Sequence, residues 1–501
     1  MTMSIEEFST FCKKKGFVFQ SSDIYGGMKG FWDFGPLGSE LFNNLKQSFW
    51  KNFVQNKENM VGIDASIISH PEVWKASGHL DSFGDMIITC SKCKTKFRAD
   101  HLIEDLFNIN VEGKSTDEIN KIIVDNKIVC QSCKGELKEL KNFNLLFKTG
   151  VGAKEDSSSG AYMRGETAQG MFYNFKLVAE TSRKKLPFGI AQIGKCFRNE
   201  ISPRDFMFRS REFTIGEFEF FIHPDEKTCD LLTKKHKDLE FNFLSAETQD
   251  KDGKDIQSIK MSELIKSKKL GEWHAYWLAE QYMWLVKLGL SEEKLKIREH
   301  TNTELSHYSS ATFDVDYEYP FGSKELAGNA NRGQYDLNQH IKESGEKLTY
   351  FDEESKQHVV PRVIEPTFGM DRLFLALLVD AYSTRKDEKG SEVVVLKLNP
   401  KIAPIQVTVL PLVNKLNDKS REVFDLIKEE FVCSYDKGGS IGRRYARNDE
   451  IGTPFCVTID FDTIEKDNSV TIRDRDTANQ KRVKIDELKF ELSKLFLVGK
   501  F

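Results

Sequence analysis

Two runs of the sequence, residues 197–200 and 209–213, combine arginines, carboxylates and aromatic rings, and they are predicted to lie on two strands joined by a loop. Guanidinium groups suit phosphate oxygens. A ring can stack on adenine, and a carboxylate can accept a hydrogen bond from its exocyclic amine. Another arginine, Arg372, lies much further along the chain. Together these pieces predict an enzyme that binds ATP in a bent form, so that a nucleophile attacks the α-phosphorus.

Each predicted ATP ligand has a distinct task in such a reaction. Arg198 is expected to stabilise the charge that develops on the α-phosphoryl group, while Arg209 and Arg372 hold the γ-phosphate. Phe213 is expected to stack on adenine, and Glu325 is the candidate ligand for Mg²⁺ between the phosphates. The sequence has no Walker loop (G-x-x-x-x-G-K-[ST]), so a glycine-rich turn does not hold the phosphates. The alternative for any one of these arginines is an ordinary ion pair.

Two acidic residues near these strands, Glu166 and Glu217, predict a pocket for an amino acid, because an α-ammonium group requires anionic acceptors. The alternative for either residue alone is a solvated or salt-bridged carboxylate. A pocket for a substrate without a side chain must also exclude a methyl group, which a filled wall does well. Residues 365–369 are the candidate wall.

Four of the nine cysteines form two C-x-x-C pairs, and Gly135 follows the second pair closely. Four thiolates can hold zinc in closed tetrahedral coordination, which is typical of structural and not of catalytic sites. We therefore predict a structural zinc site, and the alternative is a relict knuckle without metal. Its ligands would be Cys90, Cys93, Cys130 and Cys133.

The composition indicates an ordinary soluble protein of about two or three domains. Of the 501 residues, 39% are hydrophobic and 30% are charged, and the net charge of −4 argues against a generally cationic coat protein for nucleic acid. Mean hydropathy is −0.46. We recognise neither a secretion signal nor a membrane-spanning stretch, and we expect a cytoplasmic protein.

The elements that must position these residues begin with a helix and a short strand over residues 5–19. A helix is predicted for residues 39–54, because apolar residues repeat there at i, i+4 spacing. A strand is predicted for residues 63–69, and Pro71 closes it. A long helix followed by such a strand fits a subunit interface and an ordinary core helix equally well.

Two further stretches are predicted to be insertions. Residues 88–145 carry the cysteine pairs and a polar helical stretch at 101–127, whereas residues 225–300 should be helical and strongly charged. Residues 312–319 alternate as a half-buried strand does, and the charged residues 384–392 are the candidate linker. Beyond that linker, strands at 405–410 and 456–461 and a helix at 417–431 predict a small α/β domain.

Five motifs resemble those of the homodimeric glycyl-tRNA synthetases, a family of class II aminoacyl-tRNA synthetases. The resemblance runs from about residue 15 to the C-terminus, and residues 225–300 are its least similar part. The motifs are GFWDFGPLG at 30–38, GIAQIGK at 189–195 before FRNE at 197–200, ELSHYS at 304–309, ELAG at 325–328 and GRRYAR at 442–447.

The resemblance implies an α+β fold, with a class II antiparallel sheet of six or seven strands flanked by helices. It implies a catalytic domain over residues 1–398, which includes the zinc-knuckle-like insertion, and an α/β anticodon-binding domain over residues 399–501. It also implies that the helix from Ser39 and the strand that ends at Pro71 form the interface of a homodimer.

The resemblance further implies which residues contact the substrates. Arg198, Arg372 and Glu325 would be catalytic, the last as a ligand of Mg²⁺. ATP would be contacted by Arg198, Asn199, Glu200, Phe208, Arg209, Ser210, Arg211, Glu212, Phe213, Glu325, Leu326, Gly369, Met370, Asp371 and Arg372. Glycine would be contacted by Arg98, Glu166, Phe213, Glu217, Arg332, Glu365, Thr367 and Gly369.

Four positions depart from the pattern of the family. Gly165 replaces the proline that usually precedes the first pocket glutamate, and it loosens the backbone there. Thr367 replaces a serine, so the hydroxyl is kept while a methyl group crowds the pocket. Asn329 and Gln334 replace the usual isoleucine and aspartate. These changes affect the fine geometry of the pocket and not the type of reaction.

The implied reaction is ATP-dependent ligation of glycine to the 3′ end of tRNA(Gly) through a glycyl-adenylate, with release of AMP and pyrophosphate. ATP and Mg²⁺ are the expected cofactors. Residues 435–447 mix glycines, arginines and tyrosines, and they could contact phosphates and stack unpaired bases, or form a solvated charged loop.

Two alternative functions share parts of this pattern. A synthetase-like processivity subunit of an organellar DNA polymerase would not need the ATP residues, and all of them are present. The other alternative is a synthetase for another small amino acid, such as serine, threonine or proline, and the acidic pocket and the GRRYAR run favour glycine over these.

Overall fold

The computed structural model describes residues 3–107, 111, 114–152, 160–251, 253, 255–306, 308–353, 355–386 and 390–498. His307 of the ELSHYS motif therefore lies outside the described residues. So do parts of the predicted stretches 101–127 and 384–392.

A nine-stranded sheet forms the centre of the molecule. Its six middle strands run antiparallel, while parallel pairings extend it at both edges. The α+β class is confirmed, and the sheet is wider than the expected six or seven strands because short segments pair with its edges. In spatial order the strands are Gln257–Lys260, Glu240–Leu244, Leu295–Glu299, Ala311–Tyr319, Gly322–Gly333, Arg362–Gly369, Glu212–Ile222, Phe188–Phe197 and Met60–Gly62.

Residues 225–300 differ from the charged helical insertion predicted from the sequence. They contribute three strands to the central sheet and the helix Glu272–Leu288, which is apolar on nearly all sides. Trp277 of this helix is completely buried against Phe218 and Phe220 of the sheet. A helix that is hydrophobic all round belongs in a core, so this helix packs against the central sheet as part of the core.

The helix Pro36–Trp50 also packs on the sheet. Its apolar stripe, with Leu41, Leu45 and Phe49, has no exposed surface, so this face belongs to the chain's own core. Gly38 allows the close approach, since a Cβ there would lie 1.9 Å from the carbonyl oxygen of Phe17. The predicted strand at 63–69 is wrong for most of its length, because only Ile68–Ser69 is a strand there.

The cysteine pairs lie in a three-stranded sheet with the strand order Lys96–Arg98, Gly84–Cys90, Leu137–Asn144. The helices Ala99–Phe107 and Thr116–Asp125 cover this sheet and share a separate apolar cluster with it. We call this unit the cysteine insert. It has its own small core, and it is therefore built as a compact appendage on the central sheet.

A five-stranded sheet with its own apolar cluster lies near the C-terminus. Its strand order is Cys433–Tyr435, Val407–Pro411, Phe455–Ile459, Ser469–Asp474 and Gln480–Lys484. The predicted alternation of strands and helices is confirmed here. The predicted linker at 384–392 is wrong at both ends, because Tyr382–Lys386 and Glu392–Leu396 pair as antiparallel strands. The division at residues 398 and 399 remains a prediction.

Several shorter elements complete the fold. No helix among the described residues is long and apolar enough to cross a membrane. The other helices are Ile5–Lys15, Pro71–Ala76, His79–Ser82, Ala168–Tyr173, Phe175–Ser182, Lys234–Lys237, Ala246–Gln249, Met261–Lys266, Tyr335–Ser344, Met370–Ala381, Asn417–Ile427, Ile441–Glu450 and Leu488–Val498. The other strands are Val18–Gln20, Trp32–Phe34, Lys148–Gly150, Gly160–Met163, Tyr350–Asp352 and Gln357–Val359.

Candidate active site

The central sheet carries a cavity on one face, where the ends of four strands meet. Both predicted ATP runs and the end of strand Arg362–Gly369 open into it. The structure therefore brings together most of the side chains that the sequence singled out, although they are up to about 170 residues apart. The cavity is lined by Arg198, Glu200, Met207, Phe208, Arg209, Ser210, Phe213, Thr214, Ile215, Glu325, Thr367, Gly369, Asp371 and Arg372.

Arg198 lies just beyond the strand Phe188–Phe197 and projects over two rings. Its guanidinium carbon is 5.1 Å from the ring centroid of Phe83 and 5.3 Å from that of Phe213. Its Nε donates to the carbonyl oxygen of Gly165 at 3.1 Å. Within the described ranges, no residue accepts a hydrogen bond from its terminal nitrogens. These nitrogens are therefore available for an anion in the cavity.

A second cation of the cavity, Arg209, is held by acidic neighbours. Its Nε donates to Oε2 of Glu200 at 2.7 Å, and its Nη2 lies 3.9 Å from Oδ2 of Asp85. The same Asp85 oxygen lies 3.1 Å from Nη1 of Arg98. Arg98, predicted to contact glycine, thus belongs to the cysteine insert, where it also pairs with Asp100, and it does not line the cavity.

The third cation, Arg372, is paired with the predicted Mg²⁺ ligand. Its Nη1 donates to Oε2 of Glu325 at 3.0 Å, and its guanidinium carbon lies 4.4 Å from the ring centroid of Phe208. Desolvation opposes ionisation of Glu325, but Arg372 outweighs it and lowers the pKa of this carboxyl group. Glu325 is therefore an anion at the mouth of the cavity, as a ligand of a cation must be.

An acidic pocket adjoins the cavity, and Thr367 connects the two. Thr367 lines the cavity, and its hydroxyl donates to Oε1 of Glu217 at 2.8 Å. The hydroxyl of Thr167 donates to Oε2 of the same carboxylate at 2.6 Å. Burial and the neighbouring Glu166 nevertheless raise the pKa of Glu217. The hydroxyl kept at position 367 thus has a defined task, which is to orient a buried carboxylate.

Glu166 is held as an anion on the opposite side of the pocket. Its Oε2 lies 3.2 Å from Nε2 of His79, and its Oε1 accepts from the amide of Gln169 at 2.9 Å. Burial opposes ionisation of Glu166, but His79 and then Arg332 outweigh it and lower the pKa of the carboxyl group. This carboxylate is suited to accept hydrogen bonds from an ammonium group.

Arg332 anchors the floor of the acidic pocket. It is 2% exposed, and it donates to Glu365 at 2.6 Å and to Asp336 at 2.7 and 2.8 Å. Its guanidinium carbon also lies 3.9 Å from the ring centroid of Tyr308. Burial raises the pKa of Glu365 well above its usual range, although Arg332 lowers it. Arg332 is thus committed to protein carboxylates.

Some predicted ATP ligands do not line the cavity. Arg211 donates to the carbonyl oxygens of Glu200 and Lys29 and so fixes the loop between the two runs. The backbone nitrogen of Asn199 donates to the carbonyl oxygen of Leu145, and Glu212 pairs with Lys195. The last two, Leu326 and Met370, are buried.

Sequence reasoning missed several residues of the site. These are His79, Thr167 and Asp336, which hold the acidic pocket in place. Asp371, which was predicted to contact ATP, accepts a hydrogen bond from the backbone nitrogen of Thr214 at 2.6 Å. Burial raises the pKa of Asp371 to about 6. No local sequence pattern points to His79, because its partner Glu166 lies 87 residues further along the chain.

The four paired cysteines converge in the cysteine insert. Their four Sγ atoms all lie within 4.8 Å of one another, and Sγ of Cys90 lies 3.5 Å from Sγ of Cys133. Four sulfurs at about 2.3 Å from a zinc ion would be about 3.8 Å apart, so the cluster fits a tetrahedral metal. A Cβ on Gly135 would lie 3.0 Å from Sγ of Cys90, which explains the glycine beside the second pair.

The GRRYAR run forms the start of the helix Ile441–Glu450 and is only partly a surface feature. Arg444 is buried and donates to the carbonyl oxygens of Pro411 and Leu412, so its task is structural. Tyr445 bonds to Thr458 at 2.7 Å. Arg443 and residues 437–440, which precede the run, are exposed and are therefore accessible to a binding partner.

Comparisons with known proteins extend over the whole chain. Two bacterial proteins described as glycine–tRNA ligases are similar to the chain over its length. The one from Caldanaerobacter subterraneus subsp. tengcongensis is 46% identical over 492 residues, which are 97% of this chain and 97% of the relative. The one from Geobacillus thermodenitrificans is 43% identical over 500 residues, which are 99% of this chain and 98% of the relative.

Two further comparisons concern the fold. Residues 406–495 match a family described as the anticodon-binding domain. A prolyl-tRNA synthetase from Cryptosporidium parvum, solved in complex with halofuginone and AMPPNP, aligns with a TM-score of 0.58 at 14% identity, over 99% of this chain and 77% of that one. At this identity the similarity shows the fold alone.

Proposed function

This chain belongs to the glycine–tRNA ligase family of class II aminoacyl-tRNA synthetases, and on that premise we propose how its cavity performs the reaction. The enzyme joins glycine to the 3′ end of tRNA(Gly) at the expense of ATP. The observation that carries the proposal is Thr367, which lines the arginine-rich cavity and bonds to Glu217 of the acidic pocket. A triphosphate and an ammonium group can therefore lie side by side.

The first half-reaction takes place between these two subsites. The carboxylate oxygen of glycine attacks the α-phosphorus of ATP, the bond to the β-phosphate oxygen breaks, and pyrophosphate leaves. Arg198 would stabilise the charge on the α-phosphoryl group, while Arg209 and Arg372 would hold the departing phosphates. Phe213 would stack on adenine, and Glu200 would accept from its exocyclic amine. Positioning and charge stabilisation supply the rate, because no side chain needs to become a covalent nucleophile.

The second half-reaction transfers the glycyl group. The 3′-hydroxyl of the terminal adenosine of the tRNA attacks the carbonyl carbon of glycyl-adenylate, and AMP leaves. Glu166 and Glu217 would keep the ammonium group in place through both steps. The anionic Glu325 would hold Mg²⁺, which neutralises phosphate charge when bound.

Selection of glycine would depend on the filled wall of the pocket. The Thr367 methyl group and the neighbouring Glu365 would occupy the space that a substrate side chain needs. A wall of this kind excludes larger amino acids sterically. The same argument disfavours serine, threonine and proline as substrates.

The rest of the molecule serves the second substrate and the assembly. We assign anticodon recognition to the domain over residues 399–501, supported by its exposed arginine-containing run. We also propose a homodimer, supported by the exposure of Ile67 and Ile68 beside Pro71, and a structural zinc ion held by the four paired cysteines. A cytoplasmic location is part of the same proposal.

Charging of tRNA(Gly) tests the proposed function. The purified protein should attach labelled glycine to tRNA(Gly) in the presence of ATP and Mg²⁺, and it should not attach serine, alanine or proline to their own tRNAs. Charging of another tRNA with its amino acid, or no charging at all, would contradict the assignment.

A further inference from the structure

One buried carboxyl group beneath the acidic pocket has no task in the reaction described above. Glu219 lies on the same strand as Glu217, two residues further on, so both side chains project from one face of the sheet. It is 0% exposed. One carboxylate oxygen each from Glu217, Glu219 and Glu365 lies within 4.8 Å of the other two.

The three carboxyl groups differ in their hydrogen-bond donors. Glu217 accepts from two threonine hydroxyls, and Glu365 accepts from the guanidinium of Arg332 at 2.6 Å. Neither oxygen of Glu219 accepts from any residue that the structure describes. An ionised carboxylate buried without a partner is very costly, and carboxylates that share a site cannot all ionise. The neutral member of the set is therefore Glu219.

The charges around Glu219 point to the same result. It faces Glu217 on its own strand, Glu365 on the next strand, and Arg332 and Asp336 beyond. Arg332 is the one cation of this group, and it already bonds to Asp336 and Glu365. Burial, and after it Glu365, raise the pKa of Glu219 well above its usual range.

We propose that Glu219 carries a proton in the glycine-free enzyme, and that binding of the α-ammonium group of glycine expels it. The proposal rests on the proposed function, because it takes glycine as the ligand of the pocket. The ammonium group brings the positive charge that the proton supplied, so the two compete. The O–H bond of Glu219 breaks, its electron pair stays on the carboxylate, and the proton passes to the buffer.

Glu219 is thus a positioning residue, which sets the charge of the pocket without touching glycine. Binding that releases a proton becomes tighter as pH rises. Because burial and Glu365 raise the pKa of Glu219 well above its usual range, the KM for glycine should fall as the pH rises above that usual range, by up to about tenfold per pH unit if a full proton leaves. A merely structural role would leave this pH dependence unchanged.

Calorimetric titration with glycine tests the proposal. In two buffers of different ionisation enthalpy, the wild-type enzyme at pH 7 should release a measurable fraction of a proton for each glycine bound. Glu219→Gln, whose amide resembles the neutral acid, should bind glycine without that release, and its KM for glycine should vary little with pH. Glu318→Gln, at an exposed position of the sheet, is the matched control and should behave as wild type.

The outcomes separate the two proposals. If the wild-type enzyme neither binds nor charges glycine, the proposed function fails. If it binds glycine without releasing a proton, or if Glu219→Gln releases as much as wild type, the Glu219 inference is overturned. Should the variant fail to fold, the wild-type titration still decides, since absence of release contradicts the inference.

Discussion

Arg198 is the residue on which stabilisation of the transition state depends in this account. Replacing it by alanine should lower glycine-dependent pyrophosphate exchange by on the order of a hundredfold to a thousandfold. The fold should survive, because the Arg198 side chain makes one hydrogen bond to the backbone of Gly165. Exchange rates and thermal unfolding curves measure the two effects.

A surface cation provides the control for that change. Lys176 is exposed on the helix Phe175–Ser182, and Lys176→Ala should leave exchange unaltered. Wild-type exchange by the Arg198→Ala enzyme would mean that another group stabilises the α-phosphoryl charge.

Thr367 offers a test of the connection between the two subsites. Thr367→Val keeps the shape but removes the hydroxyl that donates to the buried Glu217. A hydrogen bond to a charged group contributes about 1.5–3 kcal/mol, so the KM for glycine should rise roughly tenfold to a hundredfold. Thr367→Ser keeps the hydroxyl, and its KM for glycine should stay close to that of the wild type. If the valine and serine variants had the same KM for glycine, the hydroxyl of Thr367 would have no role in glycine binding.

At this scale the sequence indicates which residue types gather at the site, because the motifs carry them. It does not indicate their partners. Arg372 pairs with Glu325 and Arg209 with Glu200, so each of these predicted phosphate-binding arginines has a carboxylate partner. His79 reaches Glu166 from 87 residues away, and such pairings follow from strand register and helix placement, which local patterns do not specify.

At the scale of the elements, the cysteine insert is connected to the ATP cavity through ion pairs. Asp85, on the strand that ends at Cys90, lies between Arg98 of the insert and Arg209 of the cavity. Loss of zinc from a structural site typically unfolds the local unit. Cys93→Ser combined with Cys130→Ser should therefore abolish zinc content, lower the melting temperature and raise the KM for ATP more than the KM for glycine.

Zinc analysis and the two KM values check this expectation together. Cys433→Ser, which lies outside the cluster, is the control and should keep the zinc. Equal increases in the KM for ATP and the KM for glycine would contradict the proposed link between the insert and the ATP cavity. A wild-type protein with well under one zinc ion per chain would contradict the metal site itself.

The elements predicted well are those with strong periodicity. The helix Pro36–Trp50 and the strand Ala311–Tyr319 follow from repeats of 3.6 and 2 residues. The structure of residues 225–300 does not follow from such a repeat. The charged loops dominate the average composition of this segment, so the buried helix within it is not apparent from the sequence. The pairing of Tyr382–Lys386 with Glu392–Leu396 is missed for a similar reason, since the charged composition of residues 384–392 resembles that of a linker.

At the scale of the whole molecule, amino-acid activation and tRNA recognition are expected to depend on different domains. Arg443 is exposed at the start of the helix Ile441–Glu450. Arg443→Ala should raise the KM for tRNA several-fold and reduce the salt dependence of tRNA binding by about one phosphate contact. Pyrophosphate exchange needs no tRNA and should keep its rate.

Lys428→Ala serves as the control, since Lys428 is exposed in the same domain but outside residues 435–447. Filter binding at several salt concentrations and charging kinetics report the difference. An Arg443→Ala enzyme with unchanged KM for tRNA would place the tRNA contact elsewhere on the domain.

Pyrophosphate exchange with different amino acids, measured without tRNA, is the decisive experiment. It tests whether a bent triphosphate and a glycine ammonium group occupy adjoining subsites joined by Thr367. We predict exchange of pyrophosphate into ATP with glycine, and little or none with alanine, serine, threonine or proline. Exchange that is absent with glycine, or as fast with one of the larger amino acids, would contradict the account.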